Sequence, residues 1–464
     1  MKRITSEFLL AISLAIVAAR PAFAQDAWRQ YATAEEAGFS SVALDSARRV
    51  ADSLGVGAVF VVYRGRVLAA WGDVSRKLHL HSVRKSLTSA LYGIAVESKR
   101  IELSATLAQL GIDDTTRLSA DEKAARVRDV IAARSGVYLP AAYAPADQDS
   151  TRPARGAHRA GTFWFYNNWD FNVAESIYQQ RTGESVYDDF ARRIAHPIGM
   201  EDLSPGDGFL AYEPQLSLYP AHTWRMSARD LARFGQLYLQ QGRWNGRQVV
   251  PAPWISVSTS PISDFGNGRG YGYMWWTYAP GSYGSRFTIL NKYASYAGSG
   301  TGGQAVIVIP EAQLVVVHRG DTDHNRNIAG GRVWGLVESI LAARRGEPKP
   351  KPALVALSPV SFTSQLPPLE QPNIMPASRT EGAALVGEYD VGAPERVRVT
   401  VFRDRLFMYL PRRGQAELLR VGEWRYTIGV LAGVTIVSDR NASGAVQSLT
   451  IRMGGQVINA RRVE

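Results

Sequence analysis

The segment Ala58-Val59-Phe60-Val61-Val62-Tyr63-Arg64-Gly65-Arg66-Val67-Leu68-Ala69-Ala70-Trp71 is the stretch on which the fold class turns. Its two apolar runs, 58–63 and 67–71, are short and rich in β-branched and aromatic residues. Arg64-Gly65 between them is a turn signal, so the segment reads as a β-hairpin. A second such pair comes late in the chain, at 304–309 and 314–318, joined through Pro310-Glu311-Ala312. A helical stripe precedes the first pair (Val42, Leu44, Ala47, Val50, Ala51 and Leu54, with Ser40 or Ser41 as cap). Another follows the second pair (Val333, Leu336, Val337, Ile340 and Leu341). Strand-forming segments thus bracket residues 25–345 and helices lie mostly between. This predicts an α/β (α+β) domain in which early and late strands share one antiparallel sheet, with helices packed on it.

The rest of the 464 residues divides around that domain. Lys2 and Arg3, the apolar run 8–19 and Ala22-Phe23-Ala24 read as a secretory signal peptide over 1–24, cut after Ala24. The expected location is therefore periplasmic or secreted, with no membrane span once the signal is removed. Eight of the 23 prolines fall between Pro348 and Pro376, so 346–382 reads as an extended linker. Short β-like runs at 396–402, 405–409, 416–421, 434–437 and 448–452 follow, punctuated by glycines. They predict a small antiparallel barrel or sandwich over 383–464. The absence of cysteine removes disulfides, thiol nucleophiles and Cys-based metal sites. The net charge of +11 comes without a basic block or a nucleic-acid motif, so no nucleic-acid partner is expected. No cofactor is implied.

Only eight of the 53 basic residues are lysine, and Lys85 alone has a serine three residues before it, Ser82. Val83, Leu87, Ala90, Leu91 and Ile94 have helical period, so Ser82 starts a helix and shares a face with Lys85. A serine hydroxyl becomes nucleophilic when a neighbouring group takes its proton, and a lysine of lowered pKa can do so. Tyr166-Asn167-Asn168 is the single Tyr-x-Asn in the chain. Tyr166 there is a candidate proton relay, and Asn168 is a candidate to hold a carbonyl or orient Lys85. The run Gly298-Ser299-Gly300-Thr301-Gly302-Gly303 enters a strand, where glycines allow close approach of another backbone or a ligand. His79 and His81 straddle Leu80, but without a cysteine or a His-Glu-x-x-His motif they do not read as a metal site. His222 reads as structural, and Trp275-Trp276 as core, with one ring a candidate for the cleft wall.

The order Ser-x-x-Lys, Tyr-x-Asn, Gly-rich strand entry resembles the class C β-lactamase-like serine hydrolases, a family of penicillin-binding proteins, esterases, D-aminopeptidases and 6-aminohexanoate-dimer hydrolase. Further segments recur in family order: His81–Ser86, Arg134-Ser135-Gly136, Gly199-Met200-Glu201-Asp202, 227–233 and Tyr271-Gly272-Tyr273. The likeness spans about residues 40–345, and 383–464 is more weakly similar to the lipocalin-like β-domain that often follows. The resemblance implies Ser82 as nucleophile, Lys85 as general base or its electrostatic partner, and Tyr166 as proton shuttle. Asn168 matches the family asparagine. The N–H groups of Ser82 and Thr301 would form the oxyanion hole, with Gly298-Ser299-Gly300 in the slot of the third motif. Gly298 departs from the pattern by replacing the cation that β-lactamases and penicillin-binding proteins use near the substrate carboxylate. One lost donor to an ionised group costs about 1.5–3 kcal/mol. The expectation is therefore an exported esterase or amidase acting on a small-molecule substrate. A penicillin-binding-type D,D-peptidase or weak β-lactamase is the alternative within the family. A non-catalytic envelope-binding protein is the alternative outside it, disfavoured by the intact Ser82, Lys85, Tyr166 and Asn168.

Overall fold

The computed structural model describes residues 27–463 apart from 146, 147, 370–372, 376, 377, 393, 395, 412 and 413; the segment read as an export signal lies outside this set. The hairpin forms with strands Val56–Tyr63 and Arg66–Gly72. Arg64 and Gly65 both take positive φ (48° and 74°), the geometry that matches a two-residue turn to the twist of its strands. The late pair forms as Gln304–Ile309 and Leu314–Gly320. Leu314–Gly320 pairs antiparallel with Val56–Tyr63, from Leu314 opposite Tyr63 to Gly320 opposite Val56. Early and late chain therefore meet at the centre of one sheet. Its ten strands run in the order Leu354–Ala356, Arg29–Tyr31, Arg66–Gly72, Val56–Tyr63, Leu314–Gly320, Gln304–Ile309, Ser295–Gly300, Trp276–Tyr278, Arg269–Tyr271, Ser263–Asp264. One pairing, Arg29–Tyr31 with Arg66–Gly72, is parallel, so the sheet is mixed rather than purely antiparallel.

The central strands are buried on both faces, which is why they read as unbroken apolar runs. Val59, Val61, Ile307 and Val316 point to a layer formed by the helices Ser41–Ser53 and Gly330–Ala342. Phe60, Val62, Val306 and Val317 point to the opposite, larger helical layer, built on Arg84–Glu97, Asn168–Thr182 and Ala228–Leu239. Ser40 caps the Ser41–Ser53 helix, accepting from the Ala43 N–H. The stripe of that helix is narrower than its sequence suggests. Leu44, Ala47 and Ala51 are buried, whereas Val42 and Val50 face solvent.

The proline-rich stretch is not wholly an extended spacer. Leu354–Ala356 adds an edge strand to the sheet, antiparallel to Arg29–Tyr31, and a helix spans Arg379–Leu385. Beyond it eight antiparallel strands, from Gly387–Asp390 to Gln456–Arg462, close into a barrel. Three of them were not legible in the sequence: Gly387–Asp390, Arg425–Ile428 and Gln456–Arg462. Each is short or carries charged and polar residues among its apolar ones, so no unbroken apolar run marks it. The barrel rests on the strand Gly208–Ala211: Tyr212 stacks on Phe402 at 4.0 Å, and the Leu210 N–H donates to Glu417 Oε2 at 2.6 Å.

Candidate active site

Ser82 lies in a single 3₁₀ turn, His81–Val83, that feeds the Arg84–Glu97 helix. That turn is pinned from several sides. The Leu80 N–H donates to the Trp224 carbonyl at 2.9 Å. The buried Arg319 guanidinium donates to the carbonyls of Leu78 (2.7 Å), His79 (3.2 Å) and Met226 (2.6 Å). It also donates to Gln304 Oε1 at 2.8 Å. Arg319 thereby rivets the run into Ser82 to the central sheet. Burial and the nearby Arg225 pull its pKa down to about 9.

Lys85 Nζ donates to Ser82 Oγ at 2.8 Å. Its nitrogen lies over the rings of Tyr166 and Phe171, 4.8 Å from each centroid. Lys85 is buried, which pushes its pKa well below the usual lysine value; the adjacent Arg84 acts in the same direction, and Glu175 opposes. Tyr166 faces Ser82, and burial raises its phenol to about 12 even though the contact with Ser82 lowers it. Such a pair offers a basic amine to the serine hydroxyl and keeps the phenol protonated near neutral pH.

Asn167 caps the Asn168–Thr182 helix, and its side chain also donates to Asp170 Oδ1 (3.0 Å) and the Val137 carbonyl (2.6 Å). Asp170 accepts from Ser135 Oγ as well, tying the Arg134-Ser135-Gly136 turn to this corner. Asn168 is not hydrogen-bonded to Lys85. Its Nδ2 donates to the Tyr143 carbonyl at 3.2 Å, while its Oδ1 is buried without a partner among the described residues.

Gly298 and Gly300 lie on the strand Ser295–Gly300, Gly298 against the Arg84–Glu97 helix and Gly300 against the turn that carries Ser82. A methyl group at Gly300 would sit 2.6 Å from the Leu80 carbonyl and 3.0 Å from Ser82 N, so only glycine lets the strand approach Ser82 this closely. Thr301, one residue on, is exposed beside the same turn. A methyl at Gly298 would sit 2.7 Å from Ser86 Oγ, which is itself bonded to the Met274 carbonyl. A side chain at position 298 would therefore meet Ser86 first.

Several further groups complete the surroundings. Arg84 is fully buried and ion-paired with Glu175, and it donates to Asn172 Oδ1 at 3.0 Å. Glu175 Oε2 also accepts from the His222 N–H at 2.9 Å, so His222 belongs to this buried network. The sequence carried a signal for it: Asn168, Asn172 and Glu175 recur at helical spacing. Trp275 and Trp276 part company. Trp275 is core, whereas the half-buried Trp276 stacks on Tyr166 at 5.6 Å and 17°. The rings of His79 and His81 lie 4.2 Å apart, tilted at 46°, beside Tyr143. Among the described residues no group of three or more acidic or histidine side chains is arranged to hold a metal ion. No described helix is long and apolar enough to cross a membrane.

A family profile described as Beta-lactamase matches residues 47–325. No curated protein matches the sequence. Among solved structures, the chain is similar to a penicillin-binding protein homologue from Caulobacter crescentus, with 15% identity, 65% of this chain and 97% of that one covered, and a TM-score of 0.48. It is also similar to the octameric penicillin-binding protein homologue from Pyrococcus abyssi, with 14% identity, coverage of 90% and 98%, and a TM-score of 0.47. The profile spans the stretch that brings Ser82, Lys85, Tyr166 and Gly300 together, and on that ground the chain belongs to the beta-lactamase family, a family with serine hydrolase members.

Proposed function

We propose that the protein is a serine hydrolase of the esterase or amidase type, exported to the periplasm or beyond, working through an acyl-enzyme on Ser82. The observation that carries this reading is the 2.8 Å contact between Ser82 Oγ and a buried Lys85 of lowered pKa. In the scheme, neutral Lys85 takes the Ser82 proton as Oγ attacks the acyl carbonyl. The N–H groups of Ser82 and Thr301 receive the oxyanion. Tyr166 passes a proton to the leaving alcohol or amine as the C–O or C–N bond breaks. Water then attacks the ester on Ser82 by the reverse proton path, releasing the acid. Residues 25–345 would form the hydrolase unit, 346–382 its connector and 383–464 a β-domain.

The absence of any side chain at Gly298 favours substrates without a carboxylate at that position over β-lactams and D-Ala-D-Ala peptides. A fluorophosphonate probe should label Ser82, and Ser82→Ala should abolish labelling; unchanged labelling in that variant would sink the reading. A panel of p-nitrophenyl esters, short amides and nitrocefin separates the esterase, amidase and β-lactamase outcomes.

A further inference from the structure

Tyr143 stands beside the turn that carries Ser82, and the acyl-transfer scheme does not use it. Its hydroxyl lies 2.8 Å from His81 Nδ1 and 3.2 Å from His79 Nδ1. On the far side of the imidazole, His81 Nε2 lies 3.3 Å from Thr322 Oγ1. These contacts form one chain, His79–Tyr143–His81–Thr322. It can be protonated in either direction: each imidazole carries one proton, and the phenol donates to one ring and accepts from the other. Both rings are suited to the neutral state, because burial lowers His79 far below the usual histidine value and brings His81 down to about 4.

The chain is anchored at backbone positions that matter. His81, immediately before Ser82, has φ of 48°, and Tyr143 has φ of 59°, both in a region L-residues seldom adopt. Tyr143 is held by its N–H, which donates to Glu213 Oε1 at 2.9 Å, and by its carbonyl, which accepts from Asn168. At the other end, a methyl at Gly302 would lie 2.1 Å from the Thr322 methyl, so Thr322 packs against the turn that begins at Thr301. The hydrogen-bond chain thus connects the Asn168 loop, the turn bearing the Ser82 N–H and the turn bearing the Thr301 N–H.

We propose that Tyr143 is a positioning residue of this site. It acts through His81 on Ser82 and through Thr322 on the Gly302 turn, and so sets the distance between the two N–H groups that receive the oxyanion. This rests on the Ser82 acyl-enzyme reading. Oxyanion donors act where charge develops in the transition state, and a displacement of about 1 Å can cost about 10² in rate. The signature is therefore a loss in kcat and not in KM.

The test compares wild type, Tyr143→Phe, Thr322→Val and the double variant. It measures p-nitrophenyl acetate hydrolysis, the rate of fluorophosphonate labelling and Tm. Each single change should lower kcat and the labelling rate about tenfold or more, with KM within about twofold and Tm nearly unchanged. The double variant should be no worse than the poorer single, because both cut one chain. Thr322→Val leaves the ring stack untouched and reads the same chain should Tyr143→Phe fold poorly. Rates within twofold of wild type, a loss confined to KM, or losses that multiply in the double variant would each overturn the proposal. If wild type is not labelled on Ser82, the acyl-enzyme reading fails instead. If Ser82 is labelled equally fast in wild type and Tyr143→Phe, only the role of Tyr143 fails.

Discussion

Arg84 and Lys85 are consecutive buried basic residues, and of the two only Arg84 has a carboxylate partner among the described residues, Glu175. The asymmetry divides their roles. Arg84 keeps its charge because Glu175 and Asn172 satisfy it. Lys85 is left with a serine hydroxyl and two aromatic rings, surroundings that favour the uncharged amine.

Lys85→Met should therefore abolish labelling of Ser82 while raising stability, because the buried amine no longer has to give up its proton on folding. A gain of about 1 kcal/mol would raise Tm by about 1–2 °C in a unit of this size. The sign of the pH dependence follows from the lowered pKa. Between the folded value of Lys85 and its ordinary 10.5, the unfolded chain binds the extra proton and the folded chain does not. Wild-type stability should thus rise with pH across that window, and Lys85→Met should flatten the rise. In wild type, kcat/KM should climb with pH through the same lowered value. A pH series of thermal melts, paired with initial rates, checks both slopes.

Gly300→Val should cost about 10²–10³ in kcat, the range for losing one oxyanion donor. The new side chain would collide with the Leu80 carbonyl and Ser82 N, and neither can yield without moving the nucleophile turn. The fold should survive, since Gly300 is at a strand end paired with Gln304 and not in the sheet centre. Circular dichroism together with the labelling rate separates a displaced site from a lost fold.

Gly298→Lys should not create a β-lactamase. The added stem must displace Ser86 Oγ from the Met274 carbonyl, disturbing the helix one turn beyond Ser82. Ester hydrolysis should fall, and nitrocefin turnover should stay at the wild-type level. A rise in nitrocefin turnover would mean that the missing cation alone sets substrate class.

What could be read in the sequence follows what was local. The hairpin at 58–71, the late strand pair and the Ser82–Lys85 spacing are short-range patterns, and each has its counterpart in the structure. The parallel pairing of Gln30 with Val67 depends on where a three-residue strand docks, and three residues carry no periodicity. Leu354–Ala356 was hidden by its prolines, because a strand at a sheet edge tolerates neighbours that a central strand does not. Tyr143 and Thr322 were invisible for a different reason. They are single polar residues in loops, 62 and 241 positions from His81, and only the folded chain shows that they share its imidazole.

Glu417 should prove the residue on which docking of the barrel depends. Its carboxylate accepts the Leu210 N–H and pairs with Arg405 at 2.8 Å, and Arg405 in turn lies over the Tyr187 ring at 5.3 Å. Glu417→Ala strands a buried N–H, at a cost of about 1–3 kcal/mol, and leaves Arg405 without its partner. That cation is one-third exposed, so solvent limits the second loss. The expected result is a lower Tm and faster tryptic cleavage within 346–382. Burial raises the Glu417 carboxyl above its usual value and outweighs the attraction of Arg405. A raised carboxyl contributes stability that is complete below the unfolded value and is lost as pH climbs through the folded one. Wild-type docking should therefore weaken as pH rises above about 4.5, the ordinary glutamate value, and Glu417→Gln should remove that decline. The strand of Leu210 also carries Phe209, whose ring lies 5.3 Å from His79, so loosening the barrel should also slow labelling of Ser82. Equal labelling rates in Glu417→Ala and wild type, alongside faster proteolysis, would show that the barrel docks without supporting the site.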